Sequence, residues 1–274
     1  MNITNKSPVA LVTGSSGGLG LAIARTFLEA GYRVVITGRD VSRLDAAKAS
    51  LGRDSYVAIA CGDVSEPQGA ADAVQTAVSQ FGRLDVLVNC VGTSDRGLAE
   101  NLTLERLDEL IRQNVHTALL CSVAAIPQLE IDQGVIVNIG SLASKVGARY
   151  LGGYVAAKHA LAGLTQQMRL ELKPRGIHVG LVNPGPIRRD DAGSRYQSRV
   201  EEDANVPAAA AKPGGGTKIK GLPPESVANA VLHCVRYRRP DLVLPRYLRL
   251  LIAVGHISPR LGDWLLLKFT SSKG

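Results

Sequence analysis

Long apolar runs and signal-like segments are missing from this sequence. A membrane helix needs roughly 18–20 apolar residues, whereas the longest apolar run here extends only from Leu250 to Gly255. The first residues, Met1–Pro8, contain no apolar core of the kind that a secretory signal needs. We therefore expect a soluble protein that is made and kept in the cytoplasm.

Cysteine is also scarce. The chain has four cysteines, which are far apart and form no Cys-x-x-Cys pair. A disulfide framework or a thiolate metal site would need closer or paired spacings. Buried, reduced thiols are expected instead, and no metal site is predicted.

Acidic residues are few near the C-terminus. The net charge of +8 is carried entirely by residues 212–274, which hold 11 Lys and Arg against three Asp and Glu, while residues 1–211 hold 21 of each sign. This asymmetry concerns solubility or an acidic partner and says nothing about the fold. We predict no nucleic-acid partner.

Short apolar runs alternate with segments of helical periodicity through most of the chain. The runs show no inward/outward alternation, which is typical of parallel strands covered by helices on both faces. We therefore predict an α/β fold with a single doubly wound parallel sheet, Rossmann-like, over residues 1–245. The predicted strands are 9–13, 33–37, 56–60, 84–89, 135–139, 178–182 and 241–244, and the helices 18–30, 41–51, 67–81, 104–128, 152–173 and 224–235.

Two segments interrupt or follow this alternation. Residues 188–221 have no sustained period, and a loop of that length in a compact domain is usually a functional lid or disordered. Residues 246–274 form an apolar, basic extension that we expect to be helical.

A glycine-rich turn lies between the first strand and the first helix. Its four glycines let the backbone approach a pyrophosphate, and the helix N-terminus offers free N–H groups to it. An ordinary tight turn is the alternative, but the position after a strand and before an amphipathic helix favours a dinucleotide site. The predicted contacts are Gly14, Ser15, Ser16, Gly18, Leu19 and Gly20.

The end of the second strand bears on the choice of dinucleotide. An acidic side chain there would accept bonds from a ribose 2′-hydroxyl, whereas a guanidinium can pair with a 2′-phosphate. Gly38 stands where the acid is expected and Arg39 follows, so NADP(H) is favoured over NAD(H). A solvated surface arginine is the alternative role for Arg39. Asp40 is either a hydroxyl partner, if the strand ends later, or the cap of the next helix.

Tyr154 and Lys158 lie four residues apart in a predicted helix, so both side chains leave the same face. A neighbouring ammonium favours the phenolate of a tyrosine, which suits acid/base catalysis. The alternative is an exposed tyrosine beside a solvated lysine, with no catalytic role.

Further motifs give the chain a resemblance to the short-chain dehydrogenase/reductase family over roughly residues 8–190 and 222–245. The resemblance implies that Ser141 bonds the substrate oxygen and that Asn114 holds a relay water with Lys158, which also binds the nicotinamide ribose. It further implies cofactor contacts from the ends of other strands. Those positions are Asp63, Val64, Asn89, Gly92, Pro184, Gly185 and Ile187.

The chain departs from the family pattern at two places. Cys90 and Val91 replace the usual Asn and Ala, which should change packing near the central sheet. Arg189 stands where relatives often carry a threonine on the nicotinamide carboxamide. It could reach the cofactor phosphate or a substrate anion, or point to solvent.

The resemblance implies an NADP(H)-dependent oxidoreductase that moves a hydride between nicotinamide and a ketone or secondary alcohol, with Tyr154 as acid/base. Family members commonly form homo-oligomers through the helices predicted here at 104–128 and 152–173. The alternative is a catalytically silent dinucleotide-binding or membrane-associated scaffold protein. Residues 246–274 would pack on the domain or a neighbouring subunit, or lie peripherally at an anionic membrane surface. The substrate itself is not predicted beyond a small carbonyl or alcohol.

Overall fold

A seven-stranded sheet forms the centre of the protein in a computed structural model that describes residues 7–189, 195–201 and 204–270. All neighbouring strands are parallel, in the order β3-β2-β1-β4-β5-β6-β7. The predicted doubly wound sheet is confirmed. The strands are β1 (Val9–Val12), β2 (Arg33–Gly38), β3 (Val57–Cys61), β4 (Val86–Asn89), β5 (Val135–Ile139), β6 (His178–Pro184) and β7 (Asp241–Leu244).

Ten α-helices accompany the sheet in the described part of the chain. The first six are α1 (Gly18–Glu29), α2 (Val41–Leu51), α3 (Pro67–Phe81), α4 (Leu104–Ile111), α5 (Thr117–Ile131) and α6 (Tyr154–Leu172). The last four are α7 (Gln197–Glu201), α8 (Pro224–Arg236), α9 (Leu248–Ile257) and α10 (Pro259–Thr270). No helix in the described residues is long and apolar enough to cross a bilayer.

The sheet has an apolar core on each face. In β1, Ala10 and Val12 belong to the core formed with α1, α2 and α8, whereas Val9 and Leu11 belong to the core formed with α3, α5 and α6. Every residue of the strand is therefore buried, because successive side chains point to opposite faces. This explains why the strands read as continuous apolar runs.

The predicted helix 104–128 differs most from the structure. It is divided into α4 and α5 by a π-helical turn, Arg112–His116, and continues to Ile131. Such turns occur often at functional sites, since the extra residue shifts the side chains that follow. Asn114 lies in this turn and is completely buried.

The irregular segment 188–221 contains more structure than its sequence predicts. Helix α7 and a 3-10 turn at Ala208–Ala211 form a small apolar cluster, in which Val200, Val206 and Ala210 pack against Leu98 and Tyr150. Residues 190–194 and 202–203 of this segment lie outside the described residues. The cluster packs the segment against the loops that follow β4 and β5.

A substitution at Gly20 tests the packing of the glycine turn, because a Cβ on Gly20 would lie 2.3 Å from the carbonyl oxygen of Gly14. We expect Gly20→Ala to lower the free energy of unfolding by about 1–3 kcal/mol, as for other overpacked sites. Urea denaturation without cofactor measures this effect. The control, Gly163→Ala in α6, meets no atom within 4 Å and should raise stability by up to about 1 kcal/mol. Equal effects of the two substitutions would contradict this account of the turn.

Candidate active site

A cleft lies at the carboxyl ends of the strands, where the strand order reverses between β1 and β4. In open α/β sheets this switch point is the usual ligand-binding crevice. A cavity of about 800 Å³ opens there, lined by residues from the loops after β4, β5 and β6, from segment 188–221 and from α9 and α10. The predicted residues Leu19, Gly92, Ser141, Tyr154, Lys158, Pro184, Gly185 and Ile187 line it.

The glycine turn connects β1 to the N-terminus of α1. Gly14 has a φ of +65°, and the close contact of Gly20 with the Gly14 carbonyl brings the helix against the turn. Ser15 is fully buried, and its hydroxyl donates to the Val12 carbonyl at 2.6 Å and accepts from the Thr37 amide at 2.9 Å. The Ser15 side chain therefore holds β1 to β2. The Ser15 amide also donates to the Thr37 carbonyl at 2.9 Å, so neither its hydroxyl nor its amide is free to serve a phosphate.

Strand β2 ends at Gly38, and the first acidic residue after it is Asp40. Asp40 caps α2, because its carboxylate accepts from the Arg43 amide at 3.2 Å and from the Ser42 hydroxyl at 2.6 Å. These hydrogen bonds lower the Asp40 pKa. Of the two roles open for Asp40, the structure shows the helix cap.

Two arginines flank this end of β2. The Arg39 side chain is 77% exposed, with its Nη1 3.8 Å from the Asp63 carboxylate. The Arg43 guanidinium lies 3.5 Å from the position of a Cβ on Gly17, so it borders the glycine turn. Sequence reasoning missed Arg43, whose only signal is its position four residues after Arg39, in the first turn of α2.

The remaining predicted cofactor-binding residues do not line the cavity, and their side chains differ in whether they are buried or already hydrogen-bonded within the protein. The Asp63 carboxylate accepts from the Ser65 amide at 2.9 Å and the Ser65 hydroxyl at 2.8 Å, which together lower its pKa despite partial burial. Val64 is 5% exposed and belongs to the apolar core. The buried Asn89 amide donates to Asn138 Oδ1 at 2.8 Å and to Ser122 Oγ at 3.0 Å. The side chains of Val64 and Asn89 thus serve the fold.

Ser141, Tyr154 and Lys158 come together beside the cavity. Ser141 follows β5 and its hydroxyl hydrogen-bonds with the Tyr154 phenol. Lys158 lies one turn after Tyr154 in α6, with its ammonium 5.8 Å from the centre of the tyrosine ring. The Lys158 ammonium is buried and donates to the Ile139 carbonyl at 2.9 Å.

The Asn114 amide lies next to this group without lining the cavity. Its Nδ2 donates to the carbonyl oxygens of Thr93 at 3.0 Å and Leu110 at 2.9 Å, while its buried Oδ1 has no protein donor among the described residues. A Cβ on Gly92 would lie 2.7 Å from that Oδ1 and 3.3 Å from the Lys158 Nζ. Gly92 therefore leaves open a space on which both polar groups converge.

Burial dominates the electrostatics of the site. Burial lowers the pKa of Lys158 to about 8. Burial also raises the pKa of Tyr154, and the Ser141 hydrogen bond and the charges of Arg189 and Arg96 lower that tyrosine pKa in part. The sequence predicts that the Lys158 ammonium is the group that favours the phenolate. In the structure Arg189 and Arg96 supply nearby positive charges that lower the Tyr154 pKa, while the Lys158 ammonium donates to the Ile139 carbonyl.

Arg96 lies in a segment that the sequence places beside the pocket, and in the structure it is a buried arginine that lines the cavity. Its guanidinium donates to the Ala210 carbonyl at 2.5 Å and to the Lys212 carbonyl at 3.0 Å, and lies 4.1 Å from the centre of the Tyr196 ring. Arg96 therefore connects the loop after β4 to segment 188–221. Arg189 is exposed and lines the cavity.

The residues present fit a bound dinucleotide. A Cβ on Gly14 would come within 3.0 Å of the Val91 side chain, so the turn leaves its backbone bare and close to the switch point. The N-terminus of α1 has no side-chain cap and no acidic residue in its first turn. Uncapped N–H groups and nearby arginines match an anionic pyrophosphate.

Comparisons with known proteins agree with this geometry. The family described as short chain dehydrogenase matches residues 8–199. The ketoacyl reductase HetN of a Nostoc species is 31% identical over 91% of this chain and 84% of that protein.

Two solved structures with NADPH bound are also similar. An actinorhodin polyketide ketoreductase is 27% identical, with a TM-score of 0.77 over 89% of this chain and 97% of its own. The L-sorbose reductase of Gluconobacter frateurii, complexed with NADPH and L-sorbose, is 25% identical, with a TM-score of 0.73 over the same shares. On its matched residues and its fold, this chain belongs to the short-chain dehydrogenase family of oxidoreductases.

Proposed function

We propose that the protein is an NADP(H)-dependent oxidoreductase that interconverts ketones and secondary alcohols. The observation that carries the proposal is the cluster of Ser141, Tyr154 and Lys158 on a large cavity at the switch point of the sheet. Ketoreductases among the relatives, and NADPH in the similar structures, support the reaction class.

When bound, the nicotinamide supplies or accepts the hydride. In the reducing direction negative charge develops on the carbonyl oxygen, and Tyr154 donates the proton that neutralises it. The Ser141 hydroxyl, which hydrogen-bonds with the Tyr154 phenol, stabilises the same oxygen. The raised pKa of Tyr154 keeps the phenol protonated at neutral pH, which suits donation.

Lys158 and Asn114 supply the support for that proton transfer. The buried Lys158 ammonium would bind the nicotinamide ribose of a bound cofactor, and Asn114 Oδ1 converges with the ammonium on the space beside Gly92. A water in that space would accept from the lysine and donate to the amide oxygen.

The preference for NADP(H) rests on charge at the end of β2. Arg39 and Arg43 border the region that follows Gly38, and the Asp40 carboxylate is engaged in capping α2. Asp63, the other acid close to this end of the strand, lies within ion-pairing distance of Arg39. A phosphate in this region would meet two guanidinium groups, which pair with phosphates through charge-assisted hydrogen bonds.

A catalytically silent protein on the same fold is the alternative. Such a protein would lack one or more of the catalytic side chains, yet Asn114, Ser141, Tyr154 and Lys158 are all present and adjacent. Their arrangement favours an enzyme.

Tyr154→Phe should abolish turnover and leave cofactor affinity nearly unchanged, since it removes the transferable proton and little volume. Ketone-dependent NADPH oxidation and NADPH binding by fluorescence measure the two effects. The control Tyr237→Phe, on an exposed tyrosine at the end of α8, should behave like the native protein. Residual activity above a few per cent in Tyr154→Phe would rule out its role as the acid.

Arg39→Ala should weaken NADPH binding much more than NADH binding, because only NADPH carries the 2′-phosphate. The expected loss is on the order of 1.5–3 kcal/mol, the usual range for hydrogen bonds to charged groups, read from Kd values for both cofactors. Arg236→Ala removes an exposed charge near Tyr32, at the opposite end of β2, and serves as the control. Equal losses for NADPH and NADH would show that Arg39 does not select the cofactor.

The location and assembly of the protein stay predictions: it is expected to be cytoplasmic and homo-oligomeric, with a C-terminal extension that packs on the domain or a neighbouring subunit, membrane contact being the alternative. Exposed Leu119 and Val123 of α5 suit a second copy, and exposed Ile257 and Trp264 beside Arg260 suit a membrane surface. Sedimentation alone, and with phosphatidylserine-containing vesicles, tests both. We expect a mass above the monomer, and a monomer at micromolar concentration contradicts that prediction. Salt-sensitive vesicle binding would favour the membrane alternative, whereas no vesicle binding at low salt favours packing of the extension on the protein.

A further inference from the structure

The two C-terminal helices form one wall of the cavity that holds the catalytic group. Helices α9 and α10, together the C-terminal hairpin, contribute Leu251, Ile252, Leu265 and Leu266 to the same cavity that Ser141 and Tyr154 line. The extension 246–274, expected to pack on the domain or to lie at a membrane, thus borders the substrate end of the cleft.

The hairpin is held in this position by a few specific contacts. Its helices cross at Gly255 and Gly262, where a Cβ on Gly262 would lie 2.7 Å from the Gly255 Cα. The His256 Nε2 lies 2.8 Å from the carbonyl oxygen of Lys145, in the loop after β5. No residue of α9 is fully buried, so its apolar inner face packs only partly against the domain.

The loop after β5 adds further apolar side chains to the lining. Leu142, Val146 and Leu151 line the cavity there. Lys145, on the same side, forms an ion pair with Asp241 at 2.5 Å. Arg149 of this loop also lines the cavity, with its guanidinium 4.6 Å from the centre of the Tyr150 ring. The lining cations Arg189, Arg195 and Lys218 belong to segment 188–221.

Half-buried apolar side chains that face one another across a cavity become fully buried when an apolar ligand enters. Each methylene group that leaves water contributes about 0.8 kcal/mol, and drug-sized ligands fill pockets of about 300–1,000 Å³. The cavity of about 800 Å³ has room for the nicotinamide end of a cofactor together with a bulky substrate.

We propose that the substrate is a bulky apolar ketone or secondary alcohol, whose apolar body packs between the C-terminal hairpin and the Leu142–Leu151 loop. The assignment rests on the proposed function for the reacting carbon. It makes Ile252 a specificity-determining residue, because this half-buried side chain lines the cavity from α9.

A series of 2-alkanones from 2-pentanone to 2-undecanone tests this proposal with the full-length protein and NADPH. Kd from calorimetry and kcat/KM from NADPH oxidation are measured for each ketone. In the native protein both should improve by about fourfold for each methylene that is buried, until the apolar space is filled.

Ile252→Asn should remove most of the dependence of Kd and kcat/KM on chain length for the long ketones, while the values for 2-pentanone change little. The matched control is Leu250→Asn, two residues away on α9, where the side chain is 71% exposed and does not line the cavity. This control should keep the native dependence. If Ile252→Asn lowers the melting temperature, Ile252→Trp provides a second test, because it fills the apolar space and should favour shorter ketones.

The two measurements separate the possible failures. A chain-length dependence of Kd that Ile252 controls, without NADPH oxidation, supports the apolar site and contradicts the proposed function. The absence of any dependence in the native protein, or the same dependence in both asparagine variants, overturns the inference about the hairpin.

Discussion

One hydrogen bond, from the Lys158 ammonium to the Ile139 carbonyl, connects the two elements that carry the catalytic side chains. Ile139 ends β5, two residues before Ser141, and Lys158 lies one turn after Tyr154 in α6. Burial lowers the Lys158 pKa to about 8, so keeping this ammonium charged costs about 3 kcal/mol. Because the folded pKa is depressed for a cation, that cost is present in full below about pH 8 and declines as pH rises toward the unfolded value. A buried charge retained at such a cost indicates a role beyond stability.

The parts of the site differ in where they come from along the chain. The end of the site proposed to bind the dinucleotide is built from the first half of the sheet, by the turn after β1 and the ends of β2 and β3. The substrate end is built from later and less regular segments, which are the loop after β5, segment 188–221 and the C-terminal hairpin. Arg96 joins these halves, since it extends from the loop after β4 to carbonyl groups of segment 188–221.

Local patterns predict the first half well and the second half poorly. The strands and the glycine turn depend on short-range rules, so the sequence indicates them directly; likewise, Tyr154 and Lys158 share a helix face because of their spacing. Arg96 and Arg43 have no such pattern, because their roles depend on carbonyl groups and turns that only the folded chain brings near. The π-helical turn at Asn114 inserts one residue into the helix, and the periodicity of apolar residues does not reveal such an insertion. The hairpin is recognisable as apolar from its sequence, but only the folded chain shows that its inner face borders the cleft.

Transfer of label is the most direct test of the central claim, that Tyr154 and its neighbours support hydride transfer to a carbonyl carbon. NADPH carrying deuterium at both C4 positions would be incubated with the protein and a panel of apolar ketones, and the products analysed by mass spectrometry. The account predicts an alcohol with one deuterium on its carbinol carbon and a matching amount of oxidised cofactor. Tight NADPH binding with no label transferred to any ketone would contradict it, and would favour a silent dinucleotide-binding protein.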